Sequence, residues 1–311
     1  MTNPILAETW RKYRGWALRA RGIRQQLDRG HRWVLGLTVA GAVLATLAAR
    51  WGVWTVTKDL PHAVPTAQGL SALSAVAMAT AAYLARSVLE PERERHWVRA
   101  RSLAESAKSE AYRFAVQATP YDGADAGTKL LDRLQELIAS GEDIPAREVT
   151  DDEVAKGLPI YPLPVEDYIA TRIDDQVGGY YRPSAEKNER KATLCAVLVQ
   201  VLSGVAAVLA AIGAIYSGTG IEAWVATLGA VTSAIGAYAL GQRYQRLAAS
   251  YRVTADRLAL RLAAYRLATQ AATDPALARA LIIDSEAILA AENQAWMTDR
   301  LRPAAPASGG G

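Results

Sequence analysis

Four stretches of the chain are apolar at nearly every position. Elsewhere apolar and polar residues alternate with a helical period. Trp33–Trp54 holds one charge, Arg50, near its end; Ala63–Leu84 and Ala192–Tyr216 hold none; Ile221–Leu240 holds only Glu222. Each stretch runs for 20 to 25 residues, and about 20 apolar residues in a helix cross a bilayer core of roughly 30 Å. Core helices of a soluble bundle are the alternative, but such helices rarely come as four nearly uncharged runs of this length. The first stretch is too long and starts too far into the chain to be a cleaved signal peptide. Thr55–His62, with Pro61, joins the first two stretches, and Ser217–Gly220 joins the last two. Connections this short predict two antiparallel hairpins. The fold class expected is therefore an all-α membrane protein with four transmembrane helices.

Each hairpin is followed by a heptad pattern. Trp97, Ala100, Ala104, Ala107, Ala111, Phe114 and Ala118 recur at alternating spacings of 3 and 4. Tyr244, Ala248, Tyr251, Ala255, Leu258, Leu262 and Tyr265 do the same after the second hairpin. Both predict long amphipathic or coiled helices with an apolar seam. Such seams could assemble several copies of the chain, or the long helices of one chain could pack on each other. Tyr83 and Tyr238 lie 155 residues apart, which suggests two copies of one unit. The first unit is expected over residues 1–120, with spans at about 33–54 and 63–84 and a helix at about 86–118. A linker follows at 121–163, with a short helix near Lys129–Ala139. The second unit is expected over 164–302, with a helical lead-in at Val165–Tyr181, spans at about 192–216 and 221–240, and helices at about 241–271 and 274–301. The last of these opens on Asp274-Pro275, a capped helix start. Residues 303–311 read as a disordered tail.

Charge sets the expected orientation. Eight Lys or Arg residues lie between Arg11 and Arg32, and five Arg residues lie between Arg86 and Arg101. Arg182, Lys187, Arg190 and Lys191 precede the third span, and Arg243 and Arg246 follow the fourth. The opposite ends of the hairpins offer only Arg50 and Lys58. The positive-inside rule then places both termini and the middle of the chain in the cytoplasm, with the spans in the inner membrane. The formal net charge of +4 is thus mostly a topology signal. Juxtamembrane basic residues have a sufficient cause in anionic lipid, so no nucleic-acid partner is expected. The aromatics agree: Trp33, Trp51 and Trp54 bracket the first span, Tyr83 and Tyr238 sit at inner ends, and Tyr216 and Trp224 flank the second outer turn. Of 22 aromatics only Phe114 is a Phe, so nearly every ring carries a polar handle suited to an interface.

Glu166–Lys191, with Tyr168, Arg172, Asp175, Gln176 and the Tyr180–Tyr181 pair before a hairpin, resembles the lead-in of SLATT domains. Those are SMODS- and SLOG-associating two-transmembrane effector domains of bacteria. Ser285–Trp296, with Glu286, Glu292 and Trp296, resembles the end of the same domain. Glu94–Tyr121 resembles the family's post-hairpin helix at Trp97, Arg101, Ala104, Glu105, Lys108, Glu110 and Pro120, which makes the first half similar to a divergent second copy. The resemblance implies a membrane effector of a nucleotide-activated antiviral system that forms an oligomeric pore or channel-like assembly. It implies a homo-oligomer in lipid, with a cyclic nucleotide or a separate sensor protein as the activating partner.

Within the spans, Gln68 and Ser71 share one helix face, and Gln200 and Ser203 share another. With Thr227 and Ser233 they are candidates either for lining a wet path or for hydrogen bonding between helices. Small residues recur at four-residue spacing in the second, third and fourth spans, which permits close helix approach within the chain or between copies. No span carries an ionisable group at mid-depth, which argues against an ion-coupled pump. Arg50, Lys58, Asp59 and Glu222 lie at the outer mouth; Arg50 either snorkels to the interface or contributes to a vestibule. The expected seam residues outside the membrane are Trp97, Phe114, Tyr244, Tyr251, Leu258 and Tyr265. No enzymatic role is expected. His31, His62 and His96 are scattered, Cys195 lies in a span, and Gly218-Thr219-Gly220 is a hairpin turn rather than a phosphate loop. Asp151-Asp152-Glu153 reads as a helix start, and Asp174-Asp175 as solvated. No cofactor is expected. A constitutive small-ion channel and a non-conducting scaffold for a separate partner are the alternative roles.

Overall fold

The computed structural model describes residues 3–58, 63–216, 220–271 and 274–301. Asp59 and the tail expected at 303–311 lie outside the described residues, as do the side chains of Lys58 and Trp54. Within the described residues every element is a helix. In chain order they are α1 (Pro4–Lys58), α2 (Ala63–Ser87), α3 (Pro91–Ala115), α4 (Ala126–Ser140), α5 (Asp151–Ala155), α6 (Val165–Tyr168), a π-helix (Ile169–Tyr181), α7 (Arg182–Ile215), α8 (Ile221–Gln242), α9 (Tyr244–Ala271) and α10 (Pro275–Leu301). Four of them, α1, α2, α7 and α8, hold segments long and apolar enough to cross a membrane.

The chain forms two compact units, each assembled from separate stretches. One comprises Gln26–Glu90 and Glu186–Ala248 and contains the four span segments. The other comprises Met1–Gln25, Pro91–Ala185 and Ala249–Gly311. Each unit thus draws on both halves of the sequence.

In the span unit, specific polar contacts join the helices. Ser74 Oγ donates to the Gly41 carbonyl at 2.8 Å, joining α2 to α1. A Cβ at Gly41 would lie 2.8 Å from the Met78 Cγ and Sδ, so the glycine permits this approach. Thr46 and Thr227, both buried, share a hydrogen bond that joins α1 to α8. Arg50 packs against Gly220, whose φ of +71° belongs to the left-handed region; the Arg50 guanidinium fills the place a side chain there would take. Trp33, Trp51, Tyr83 and Tyr216 are all exposed, as interfacial rings should be in a structure without its lipid.

Both predicted seams are buried. All seven residues of the first heptad pattern, from Trp97 to Ala118, are buried. In the second pattern Tyr244, Ala248, Tyr251, Ala255, Leu258 and Leu262 are buried, and Tyr265 is half-buried. The first pattern packs against α10, where Trp97 meets Trp296 edge-to-face at 4.9 Å. Both seams are therefore used inside the chain and leave no bare heptad face for joining copies. The linker is more ordered than its prolines suggest. In α4, Leu130, Leu134 and Leu137 are buried at helical spacing, and α5 opens with a capping box between Thr150 and Glu153. Asp151, Asp152 and Glu153 form the first turn of α5, as expected. Asp274 caps α10 by accepting from the Ala276 N–H at 2.8 Å.

Candidate functional site

The candidate site outside the span segments is a buried polar seam joining α3, the π-helix and α10. The π-helix shapes it. Tyr168, Arg172, Gln176 and Tyr181 are all buried, at successive spacings of 4, 4 and 5. A 3.6-residue turn would carry those positions progressively off one face. The wider i→i+5 turn keeps them together, and such turns recur at functional sites. The sequence predicts a helix here but gives no sign of the wider turn. On α10, Ser285, Glu286, Leu289, Glu292, Asn293 and Trp296 form a buried stripe that mixes carboxylates with apolar residues.

At its centre is an ion pair with almost no solvent contact. The Arg172 and Glu286 side chains are 1% and 3% exposed. Arg172 Nε donates to Glu286 Oε1 at 2.8 Å, and Nη2 donates to Oε2 at 2.8 Å. The Tyr168 hydroxyl donates to the same Oε1 at 3.0 Å. Burial works against both charges. Each nevertheless holds the other in its charged form: Glu286 sits below the usual carboxylate range, helped by hydrogen bonds from Ser109 and Tyr168, and Arg172 sits above its ordinary value. The Arg172 guanidinium also lies 5.0 Å from the Tyr112 ring centroid, on α3.

A second cluster lies further along the seam. Arg101 stacks 4.1 Å over the Trp296 ring and donates to the Tyr180 hydroxyl at 3.2 Å. The Tyr181 hydroxyl donates to Glu292 Oε2 at 3.3 Å. Burial, opposed by Arg101 and reinforced by Glu105, pushes Glu292 above the usual carboxylate range. Asn293 donates to Ser102 Oγ at 3.3 Å. A cavity of about 380 Å³ opens along these residues. Arg172 Nη1, Glu292 Oε1 and Asn293 Oδ1 are buried there with no partner among the described residues. The seam therefore retains one donor and two acceptors for water or a polar ligand. Among the described residues no group of three His, Cys, Asp or Glu could hold a metal ion.

The motif residues at Glu94–Tyr121, Glu166–Lys191 and Ser285–Trp296 thus converge in space. Residues 168–296 match the model of the SMODS and SLOG-associating 2TM effector domain 1. Residues 168–296 are a SLATT domain. Residues 15–129, expected to be a divergent second SLATT copy, match instead a model for a protein of unknown function, DUF4231, so one SLATT copy is shown rather than two. No curated protein and no solved structure matches the chain. The SLATT segment contains both partners of the central ion pair and the third and fourth spans; Trp97, Arg101 and Tyr112 come to it from the DUF4231 segment and from α3.

The candidate positions in the spans are distributed differently. Gln68, Ser71, Gln200, Ser203 and Ser233 are exposed on the surface of the chain. None of the five forms a hydrogen bond to another described residue. Thr227 alone of the six is buried, against Thr46. Ser74, Thr46 and Thr227 do carry interhelical bonds within the chain. Of the residues expected at the outer mouth, Arg50 is half-buried against Gly220, and Glu222 is exposed beside Gly213.

Proposed function

We propose that the chain is the membrane effector of a bacterial nucleotide-activated conflict system. Several copies assemble in the inner membrane into a pore, with both termini and the seam unit in the cytoplasm. The observation that carries this reading is the exposure of Gln68, Ser71, Gln200 and Ser203 on spans α2 and α7. An amide facing hydrocarbon without a partner costs several kcal/mol. A neighbouring copy or a water-filled path removes that cost. Charge placement supports the orientation: basic residues crowd one end of each hairpin.

Gating is assigned to the seam unit. Tyr181 ends the π-helix, and Arg182 begins α7, so the seam leads without interruption into the third span. A cyclic nucleotide or sensor protein that binds one arrangement of the seam better than another would shift the population of open assemblies. The role assigned is non-catalytic. Seams buried within the chain leave little for a scaffold to present, which favours the pore over a recruiting platform.

The test is expression in bacterial cells with a membrane-potential dye. Wild-type chain depolarises the cells. Glu286→Gln, which weakens the central ion pair while leaving the spans intact, alters the response. A chain that stays monomeric in lipid and leaves the potential unchanged with its activating system present contradicts the proposal.

A further inference from the structure

Tyr112, whose ring receives Arg172, also walls a second cavity, of about 560 Å³, in the same unit. Pockets of roughly 300–1,000 Å³ hold small organic molecules. One side is aromatic. The Trp10 and Tyr13 centroids are 4.7 Å apart, and Tyr112 meets Trp10 edge-on at 5.8 Å. Pro159 and Leu163 supply an apolar side.

The Tyr112 hydroxyl donates to the Thr171 carbonyl at 3.3 Å, but two other donors on this wall are buried without acceptors. Trp10 is 3% exposed, yet its Nε1 has no partner among the described residues. Trp16, 2% exposed on the same helix, donates to the Ile144 carbonyl at 3.0 Å. The contrast marks Trp10 as the exception to the rule that buried donors are paired. Arg14 Nε is buried without an acceptor as well. Lys108 Nζ lies 5.7 Å from the Tyr13 ring centroid. An indole N–H, a guanidinium and an ammonium can only donate. The carboxylates at this cavity, Asp167 and Asp175, are on exposed residues. Burial keeps the Tyr13 phenol protonated, its pKa raised, so it too can donate.

We infer that this cavity binds a small planar aromatic anion, its ring against Trp10, Tyr13 and Tyr112 and its anionic group received by Arg14, Lys108 and the Trp10 N–H. Waters could accept from these donors but would leave the aromatic wall unused. An anion answers the excess of cations, and a flat ring answers the wall. The site is separate from the Glu286 seam, and its occupancy does not depend on whether the spans conduct.

Isothermal titration calorimetry on the full chain in detergent tests the inference. The probes are adenosine monophosphate, 2-naphthoate, adenosine and inorganic phosphate. At least one of the two aromatic anions binds, about tenfold or more tighter than adenosine or phosphate. Trp10→Phe keeps the ring and removes the N–H, and Lys108→Met removes a cation; each weakens binding by about tenfold, with helix content unchanged by circular dichroism. The two anions separate a phosphate-bearing from a carboxylate-bearing ligand, and either supports the inference. Three results overturn it: neither aromatic anion binds, phosphate or adenosine binds as tightly as the tighter of the two aromatic anions, or both folded variants bind like wild type.

Discussion

Replacing Glu286 by Ala strands the Arg172 guanidinium, 1% exposed, with no carboxylate to face. It removes the two 2.8 Å bonds from Arg172 and the 3.0 Å bond from the Tyr168 hydroxyl. Breaking a buried pair by deleting one partner costs about 3–5 kcal/mol, because the surviving charge stays desolvated. For a unit of this size about 1 kcal/mol moves Tm by 2–4 °C, so Glu286→Ala should lower it by roughly 6–20 °C. Removing both charges with Arg172→Met and Glu286→Leu restores most of the loss, since an apolar pair of similar volume is often neutral or better. The Tyr168 and Ser109 hydroxyls then lack this acceptor. The assay is thermal unfolding of the full chain in detergent, followed by far-ultraviolet circular dichroism. The pH dependence follows from the sign. Glu286 has a lowered folded pKa, so its stabilisation is present above the unfolded carboxylate pKa of about 4.3 and is lost as pH falls through the folded value. Acid should therefore narrow the gap between wild type and Glu286→Ala. The reasoning fails if Glu286→Ala unfolds within about 1 kcal/mol of wild type, or if the double variant is less stable than the single one.

Three further outcomes can be checked on the same preparation. Burial and Arg172 lower the Lys108 pKa to about 8; Lys108→Met should therefore stabilise the fold at neutral pH by roughly 1–3 kcal/mol. Because the unfolded state binds more protons above that value, wild-type stability should rise between about pH 8 and 10.5, and the variant's should not. At Gly15 a Cβ would lie 2.5 Å from the Arg147 carbonyl oxygen and 2.9 Å from the Ala146 Cβ. Gly15→Ala should cost about 1–3 kcal/mol through overpacking and speed proteolysis of the 141–150 segment. Thr227→Val and Ser74→Ala each remove an interhelical bond in the spans; each should cost about 0.6 kcal/mol, and no more than about 1.7, in refolding from denaturing detergent.

The sequence carries the features set by local periodicity. Uncharged 20-residue runs show the spans, because hydrocarbon tolerates little else. The Trp97–Ala118 heptad shows a buried face, because period alone decides which side of a helix is apolar. What those faces meet is not local. The first seam meets α10, whose partner residues lie about two hundred positions away, so the heptad pattern alone leaves open whether it joins copies or, as found, helices of one chain. Glu286 and Arg172 each belonged to a recognised motif, but their pairing spans 114 residues and has no signature in either stretch. The π-helix was hidden because a helical pattern reads alike at 3.6 residues per turn and at a wider turn. The lone Trp10 N–H is a property of packing alone. In the spans, spacing groups Gln68 with Ser71 and Gln200 with Ser203. It could not reveal that all four face outward.

That outward polarity is the centre of the account, and ion flux tests it most directly. Cells or activated proteoliposomes carrying wild-type chain are compared with Gln68→Leu/Gln200→Leu by potential-sensitive dye, with copies per assembly counted by single-molecule photobleaching. The account predicts multi-copy assemblies of wild type that dissipate the potential, and a double variant whose flux changes by about tenfold or more, since the lost amides are worth more than 1.4 kcal/mol at that depth. Equal flux from both, or a wild type that remains single-copy while the membrane stays tight, would contradict it.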